Sequence, residues 1–328
     1  MNNLSSRFRI FILITSFLVS ISNTFAQKDT IAIIDAGSSG TRLFVYKFDY
    51  QSKDVDCIEA KGTGTSLSTI IGADQDGVNN FLEAIISQSN INPAKKKKLY
   101  ILATAGMRKG TQSPSVYGLM NNFTNDKYEV NTAMTISGRY EGLYAWIAAN
   151  YEELKGTGLQ QENTKGILEI GGASMQITFA DKSSDNTDYY VNMDGLNIYT
   201  KSYLGGGADS IFKYNTPNPN YNRTISDLPN SSNFGNTIYG LGKPIQGVIS
   251  GTNGKKIDEY IRGLSDEDSF ENHHPKSNAN YVQWLTQQLN IKIDSIIPKS
   301  DVNWTRGAAY DIVINNRNPE EFDYSSPN

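Results

Sequence analysis

The sequence of 328 residues predicts an α/β protein of two domains with an active-site cleft between them. Strand-like apolar runs alternate with helix-like spacing along most of the chain, the pattern of a layered α/β fold. A strand, glycine turn, strand unit occurs twice, which points to two related halves. The length also exceeds what one compact core usually holds.

The first copy of the unit begins at the apolar run 31–34 and continues as Asp35, Ala36, Gly37, Ser38, Ser39, Gly40, Thr41 and Arg42. The second runs over 167–177 and aligns without a gap, so that Asp35 falls on Glu169, Gly37 on Gly171 and Leu43 on Ile177. Strands are expected over 30–48. Val78, Phe81, Leu82 and Ile85 then mark one helix face, closed by Pro93. A short buried strand over 99–102 runs into Ala103, Thr104, Ala105, Gly106, Met107 and Arg108, and a second helix begins near Pro114. A strand over 130–136 ends at Ser137 and Gly138. Tyr140, Leu143, Tyr144, Ile147, Ala148 and Tyr151 then recur at helical spacing as a core face, with Glu141 off that face in the first turn.

Gly156 and Gly158 mark a hinge. Residues 181–254 are rich in Asn, Ser, Gly and Tyr and read as loops with short elements. Helices are expected over 284–289 and 302–314, the latter returning the chain to its first half.

Composition bounds the function. A hydrophobic content of 38% with 11% aromatics is enough for two cores, and a net charge of -4 without a basic stripe excludes a nucleic-acid binder. The run of lysines at 95–98 reads as a solvated entry to the following strand. Arg7 and Arg9, the apolar segment 10–21 and the small residues before Gln27 have the order of a secretory signal peptide over 1–26, with cleavage after Ala26. Its apolar part is too short for a membrane span, so a secreted or periplasmic protein without a membrane anchor is expected. Cys57 is the one cysteine, which rules out an intramolecular disulfide and suits a bacterial periplasm. The sequons at Asn122 and Asn303 carry no weight in such a setting. Oligomeric state is not legible.

A carboxylate at the end of a buried strand, followed by small residues with free amides, suits a phosphate chain and its cation. If the two turns face each other, Asp35 and Glu169 converge on one metal. Both are hard oxygen ligands for Ca²⁺ or Mg²⁺, with contact through water. The amides of Ser38, Ser39, Gly172 and Ala173 would then meet phosphate oxygens, with Arg42, Thr104 and Arg108 as further orienting groups. Glu141, between Gly138 and Gly142 at a helix start, can take a proton from an attacking water, with Ser174 and Gln176 on the water's other side.

In this order the segments resemble the ecto-nucleoside triphosphate diphosphohydrolases, or apyrases, of a bacterial secreted type. Residues 35–42 and 103–108 match the first two signatures of that family. Residues 136–146 are similar to the third, 168–176 to the fourth, and Trp304 with Gly307 to the fifth. The resemblance implies an actin-like fold of two ribonuclease-H-type domains, 27–136 with 305–328 and 137–304. It implies hydrolysis of nucleoside tri- and diphosphates with Ca²⁺ or Mg²⁺. Glu141 would be the base, Ser174 and Gln176 would position water, and the phosphates would lie on 37–42, Thr104, Arg108, Gly171, Gly172 and Ala173.

Three departures stand out: Glu169 where the family carries Asp, Tyr140 where it has a second acid, and a shorter chain without its disulfides. Tyr203, Phe212, Tyr214 and Tyr239 are the aromatics open for stacking on a base. His273 and His274 read as a solvated loop. An exopolyphosphatase, a guanosine alarmone phosphatase and a nucleotide-binding pseudoenzyme stay open as alternatives.

Overall fold

The computed structural model describes residues 28–37, 40–108, 113–156, 159–181, 188–211, 225, 227–229, 234, 237–265 and 274–325. The expected leader 1–26, Ser38, Ser39, Gly158, Phe212, Tyr214 and His273 lie outside them.

Two mixed sheets make up the fold. The first contains β1 (Lys28–Gly37), β2 (Gly40–Asp49), β3 (Asp54–Thr63), β4 (Lys97–Ala103) and β5 (Tyr128–Thr135) in the order β3-β2-β1-β4-β5. The second contains β6 (Gly166–Ile170), β7 (Ser174–Asp181), β8 (Tyr190–Met193), β9 (Leu196–Leu204), β10 (Ile238–Leu241) and β11 (Ile296–Pro298) in the order β11-β10-β6-β7-β9-β8. Set β8 aside as an edge addition and the two orders coincide. In each sheet the first strand pairs antiparallel with the second and parallel with the fourth. The repeat seen in the two glycine turns therefore extends to whole sheets.

The helices are α1 (Gln75–Ile86), α2 (Ala105–Arg108), α3 (Ser113–Met120), α4 (Gly138–Ala149), α5 (Tyr151–Lys155), α6 (Ala208–Ile211), α7 (Lys243–Thr252), α8 (Ile257–Arg262), α9 (Pro275–Gln288) and α10 (Trp304–Val313). Among the described residues, no helix is long and apolar enough to cross a membrane.

Alternation along the strands divides the first sheet into two buried faces. Ala32, Ile34, Leu43, Val45 and Ile101 pack outward on α1 and α3 through Val78, Leu82, Ile85, Val116 and Met120. Ile31, Ile33, Phe44, Tyr46 and Leu102 point inward to α4 and α10. Each such side chain, fully buried, contributes about 1.5–3 kcal/mol by removal from water. A third core, around Leu168, Ile177, Val248, Tyr281 and Leu285, holds α7 and α9 on the outer face of the second sheet.

Helices α4 and α10 form the middle layer. The α4 helix lies on β6, β7 and β9, α10 touches β1, β2 and β3, and the two helices pack on each other. Gly307 permits that approach, because a Cβ there would stand 1.9 Å from the Tyr144 carbonyl oxygen. Trp304 stacks on Tyr144 with ring centroids 6.3 Å apart.

Three expectations change. The α4 helix has no solvent face: every residue from Tyr140 to Ala149 is buried, Glu141 included, because it is sandwiched between a sheet and α10. Among the described residues, 181–254 hold three strands and two helices, whose polar Asn, Ser and Tyr obscure the apolar periodicity. The helix expected over 284–289 starts at Pro275, capped by His274, whose Nδ1 accepts from the Lys276 amide.

Candidate active site

The two hairpins superimpose at the level of register. Asp35 faces Arg42 across β1 and β2, and Glu169 faces Gln176 across β6 and β7. Gly37 pairs with Gly40 in the first turn, and the Gly171 amide donates to the Ser174 carbonyl in the second. Gly40 has φ +144°, and a Cβ there would meet the Thr63 carbonyl at 2.7 Å, so glycine is required.

Asp35 and Glu169 line the same cavity of about 370 Å³, together with Arg42, Asp301, Asn303 and Trp304. Burial pushes the Asp35 carboxyl up to about 7, against the pull of Arg42 at 3.8 Å. Glu169 is likewise pushed up to about 7, first by burial and then by the charge of Asp35, with Arg108 opposing. Glu169 Oε2 is buried and accepts no hydrogen bond among the described residues. Two buried hard carboxylates, one raised by the charge of the other and carrying an orphaned oxygen, fit a divalent cation.

The second turn is anchored from behind. The amides of Ala208 and Asp209 donate to the carbonyls of Gly171 and Gly172 at 2.9 Å each, and the Gly205 amide to that of Ala173 at 2.8 Å. Gly207 lets this loop come close, since a Cβ on it would stand 2.5 Å from the backbone of Gly172. The carbonyls are thus turned away, and among the described residues the amides of Gly172 and Ala173 donate to no backbone carbonyl. Amides so oriented form an anion-binding concavity.

Glu141 is brought to the hairpin of the second sheet by α4. Ser137 caps that helix, its Oγ accepting from the Tyr140 amide at 3.2 Å. Gly138 and Gly142 allow the approach: a Cβ on Gly138 would meet Ser202 Oγ at 2.5 Å, and one on Gly142 would meet Thr200 Oγ1 at 2.6 Å. Gln176 Nε2 lies 3.0 Å from Glu141 Oε2 and 2.7 Å from Ser174 Oγ, so the three residues form one buried cluster.

Arg108 completes it by an ion pair with Glu141, and its Nη1 lies 3.3 Å from Ser202 Oγ. Burial lowers the Arg108 guanidinium to about 10. Arg108 therefore faces the carboxylate of Glu141. Thr104 is buried at the end of β4, beside the first turn.

A larger cavity of about 620 Å³ adjoins the second turn and is mostly apolar. Gly171, Gly172, Val248, Tyr260 and Asn278 line it, and Arg42 lines both cavities. Of the aromatics expected there, Tyr203 is buried in the core beside β7, and the ring of Tyr239 lies under Lys299 Nζ at 4.4 Å. Sequence reasoning missed Ser202, Tyr260 and Asn278. Their segments carry no motif, although the triplet Gly205, Gly206, Gly207 was a legible sign of close backbone approach.

The two sheets of matched strand order make an actin-like fold. The chain matches the structure of a nucleoside triphosphate hydrolase from Neospora caninum with a TM-score of 0.61 at 13% identity, over 95% of this chain and 97% of that one. It matches the Aquifex aeolicus member of the Ppx/GppA family with a TM-score of 0.53 at 16% identity, over 89% and 100%. The chain belongs to the GDA1/CD39 (nucleoside phosphatase) family, whose model matches residues 24–227. Probable apyrase 3 of Arabidopsis thaliana is 30% identical over 262 residues, 73% of this chain and 51% of that protein. The chain spans between 37% and 51% of the length of the curated relatives it matches.

Proposed function

We propose that this protein is an exported apyrase that removes terminal phosphates from nucleoside tri- and diphosphates and leaves the monophosphate. The observation that carries this reading is the convergence of Asp35 and Glu169, from matched hairpins, on one cavity. The reading also takes 27–136 with 305–328 as one ribonuclease-H-type domain and 137–304 as the other, supported by the shared strand order.

The amides of Gly172 and Ala173 hold oxygens of the phosphate chain, which Gly37, Gly40, Thr41 and Arg42 of the first hairpin meet from the other sheet. Asp35 and Glu169 would hold Ca²⁺ or Mg²⁺ through its waters, and the bound ion would neutralise charge on the phosphoryl oxygens. Gln176 and Ser174 orient a water against Glu141. Glu141 accepts a proton as the water oxygen bonds to the terminal phosphorus, and the bond from phosphorus to the bridging oxygen breaks. Inorganic phosphate and the shortened nucleotide leave.

The 620 Å³ cavity takes the nucleoside, and its apolar wall favours a nucleotide over inorganic polyphosphate, which has nothing to bury there. Phosphate release from ATP, ADP, AMP and polyphosphate, with and without Ca²⁺ or Mg²⁺, tests the proposal. Cation-dependent release from ATP or ADP and none from AMP is expected. Tight ATP binding without release would make the protein a pseudoenzyme, and a preference for polyphosphate would move the substrate class.

A further inference from the structure

Ser202, on β9, has no part in the mechanism above, yet its hydroxyl lies between two groups that hold Glu141. Arg108 and Gln176 both reach the same oxygen of that carboxylate: Arg108 Nη2 is ion-paired with Oε2, and Gln176 Nε2 donates to it at 3.0 Å. Both also donate to Ser202 Oγ, through Arg108 Nη1 and Gln176 Nε2, at 3.3 Å each. Glu141 Oε2, Arg108, Ser202 Oγ and Gln176 therefore close a ring. A guanidinium and an amide N–H₂ only donate, so the serine oxygen is the acceptor in both bonds. Gly138 makes room for this meeting, since a Cβ there would stand 2.5 Å from Ser202 Oγ and 2.6 Å from Arg108 Nη1.

The ring divides the carboxylate of Glu141. Two donors cover Oε2, Oε1 takes no hydrogen bond among the described residues, and the side chain keeps 11% of its surface exposed. We infer that Ser202 is a positioning residue, which by holding Arg108 and Gln176 ties Oε2 to the protein and leaves Oε1 as the oxygen that takes the proton. This rests on the reading of Glu141 as the base. A carboxylate free to exchange its two oxygens would pass part of its time turned away from the attacking water, and a fixed one does not. Gln176 has two N–H hydrogens for three acceptors, so the second is shared between Ser174 Oγ, at 2.7 Å, and Ser202 Oγ. Ser202 thus links the residue that orients the water to the arginine that orients the base.

The test is Ser202→Ala beside Ser202→Cys, whose sulfur fills the space of the hydroxyl but is a weak acceptor. In hydrolysis of ADP with Mg²⁺, both variants are expected to lose about five- to twentyfold in kcat, with KM within about twofold of the parent. An unchanged kcat in Ser202→Ala would overturn the inference. A parental kcat in Ser202→Cys would reduce Ser202 to a space-filling residue and overturn it too, as would a loss that appears in KM alone. Thermal melts add a readout that needs no turnover. Ser202→Ala should lower the melting temperature by about 2–4 °C, and by about half of that or less in a Gln176→Met background, where one donor of the ring is already gone. Additive shifts would dismiss the ring. Absence of turnover on every nucleotide would sink the hydrolase reading alone, because the melts would still decide whether Ser202 ties the two donors together.

Discussion

Arg108 on α2 and Glu141 on α4 form an ion pair whose side chains are 2% and 11% exposed. The pair joins a helix that follows β4 of the first sheet to one that lies on the second. Arg108→Ala leaves a buried carboxylate without its partner, and is expected to cost about 3 kcal/mol in urea unfolding. Glu141→Gln in that background should return part of the loss. Glu141→Ala alone should lower kcat by about 10²- to 10⁴-fold with nucleotide binding retained. Unchanged turnover in Glu141→Ala would remove it from the role of base.

Gly142 is expected to tolerate no side chain. A Cβ there meets Thr200 Oγ1 at 2.6 Å and Thr178 Oγ1 at 2.8 Å, two hydroxyls that are bonded to each other at 2.9 Å and buried. Gly142→Ala should shift α4 away from β7 and β9, cost about 1–3 kcal/mol, and lower kcat at least tenfold by displacing Glu141 from Gln176. Thermal melts with steady-state kinetics separate the two effects.

Removal of divalent cations should abolish phosphate release, and Ca²⁺ or Mg²⁺ should restore it. With contact through water, Asp35→Asn and Glu169→Gln are each expected to weaken the cation requirement's half-saturation by about 10- to 100-fold. Titration of cation against nucleotide binding provides a readout independent of turnover. A half-saturation that moves in neither variant would take the cation away from these carboxylates.

Gly247 lines the larger cavity, and a Cβ on it would enter open space. Gly247→Leu should therefore fold at least as well as the parent, since glycine is the poorer helix former by about 0.5–1 kcal/mol. It should raise KM for ADP at least tenfold by filling the space of the nucleoside. Equal KM values in the two proteins would place the nucleoside elsewhere.

Asp311 is fully buried on α10, where Asn315 Nδ2 donates to its Oδ1 at 2.8 Å and Arg317 stands at 3.6 Å. Burial raises its carboxyl above the ordinary range, against the hydrogen bond of Asn315 and the charge of Arg317. The native state therefore keeps a proton that the unfolded chain has released, so this group's contribution to stability falls as pH rises above about 4. Asp311→Asn lacks the proton to lose. Its melting temperature relative to the parent should climb between pH 4 and pH 8, and a constant difference would exclude the effect.

The half of the site that was legible is the half built from short-range pattern. A carboxylate ending an apolar run and two glycine turns disclosed Asp35 and Glu169, and the matched register of Asp35 with Arg42 and Glu169 with Gln176 follows from that alignment. The pairing of Arg108 with Glu141 was not legible, because it depends on how α4 settles between a sheet and α10. Asn278 was hidden for a different reason. It occupies an ordinary helical position, and it becomes part of a cavity wall only once α7, α8 and the Gly171 turn close around that space.

The packing of Gly307 on the Tyr144 carbonyl sets an order of events during synthesis. Everything that bears a proposed catalytic or cation-holding group, from Asp35 to Gln176, leaves the ribosome well before α10 does. Until α10 arrives, the inner faces of Tyr144 and its neighbours have no cover, and the helix that presents Glu141 has nothing to press it onto the second sheet. A nascent chain would own all of those groups and still be idle, its competence deferred to the moment α10 docks.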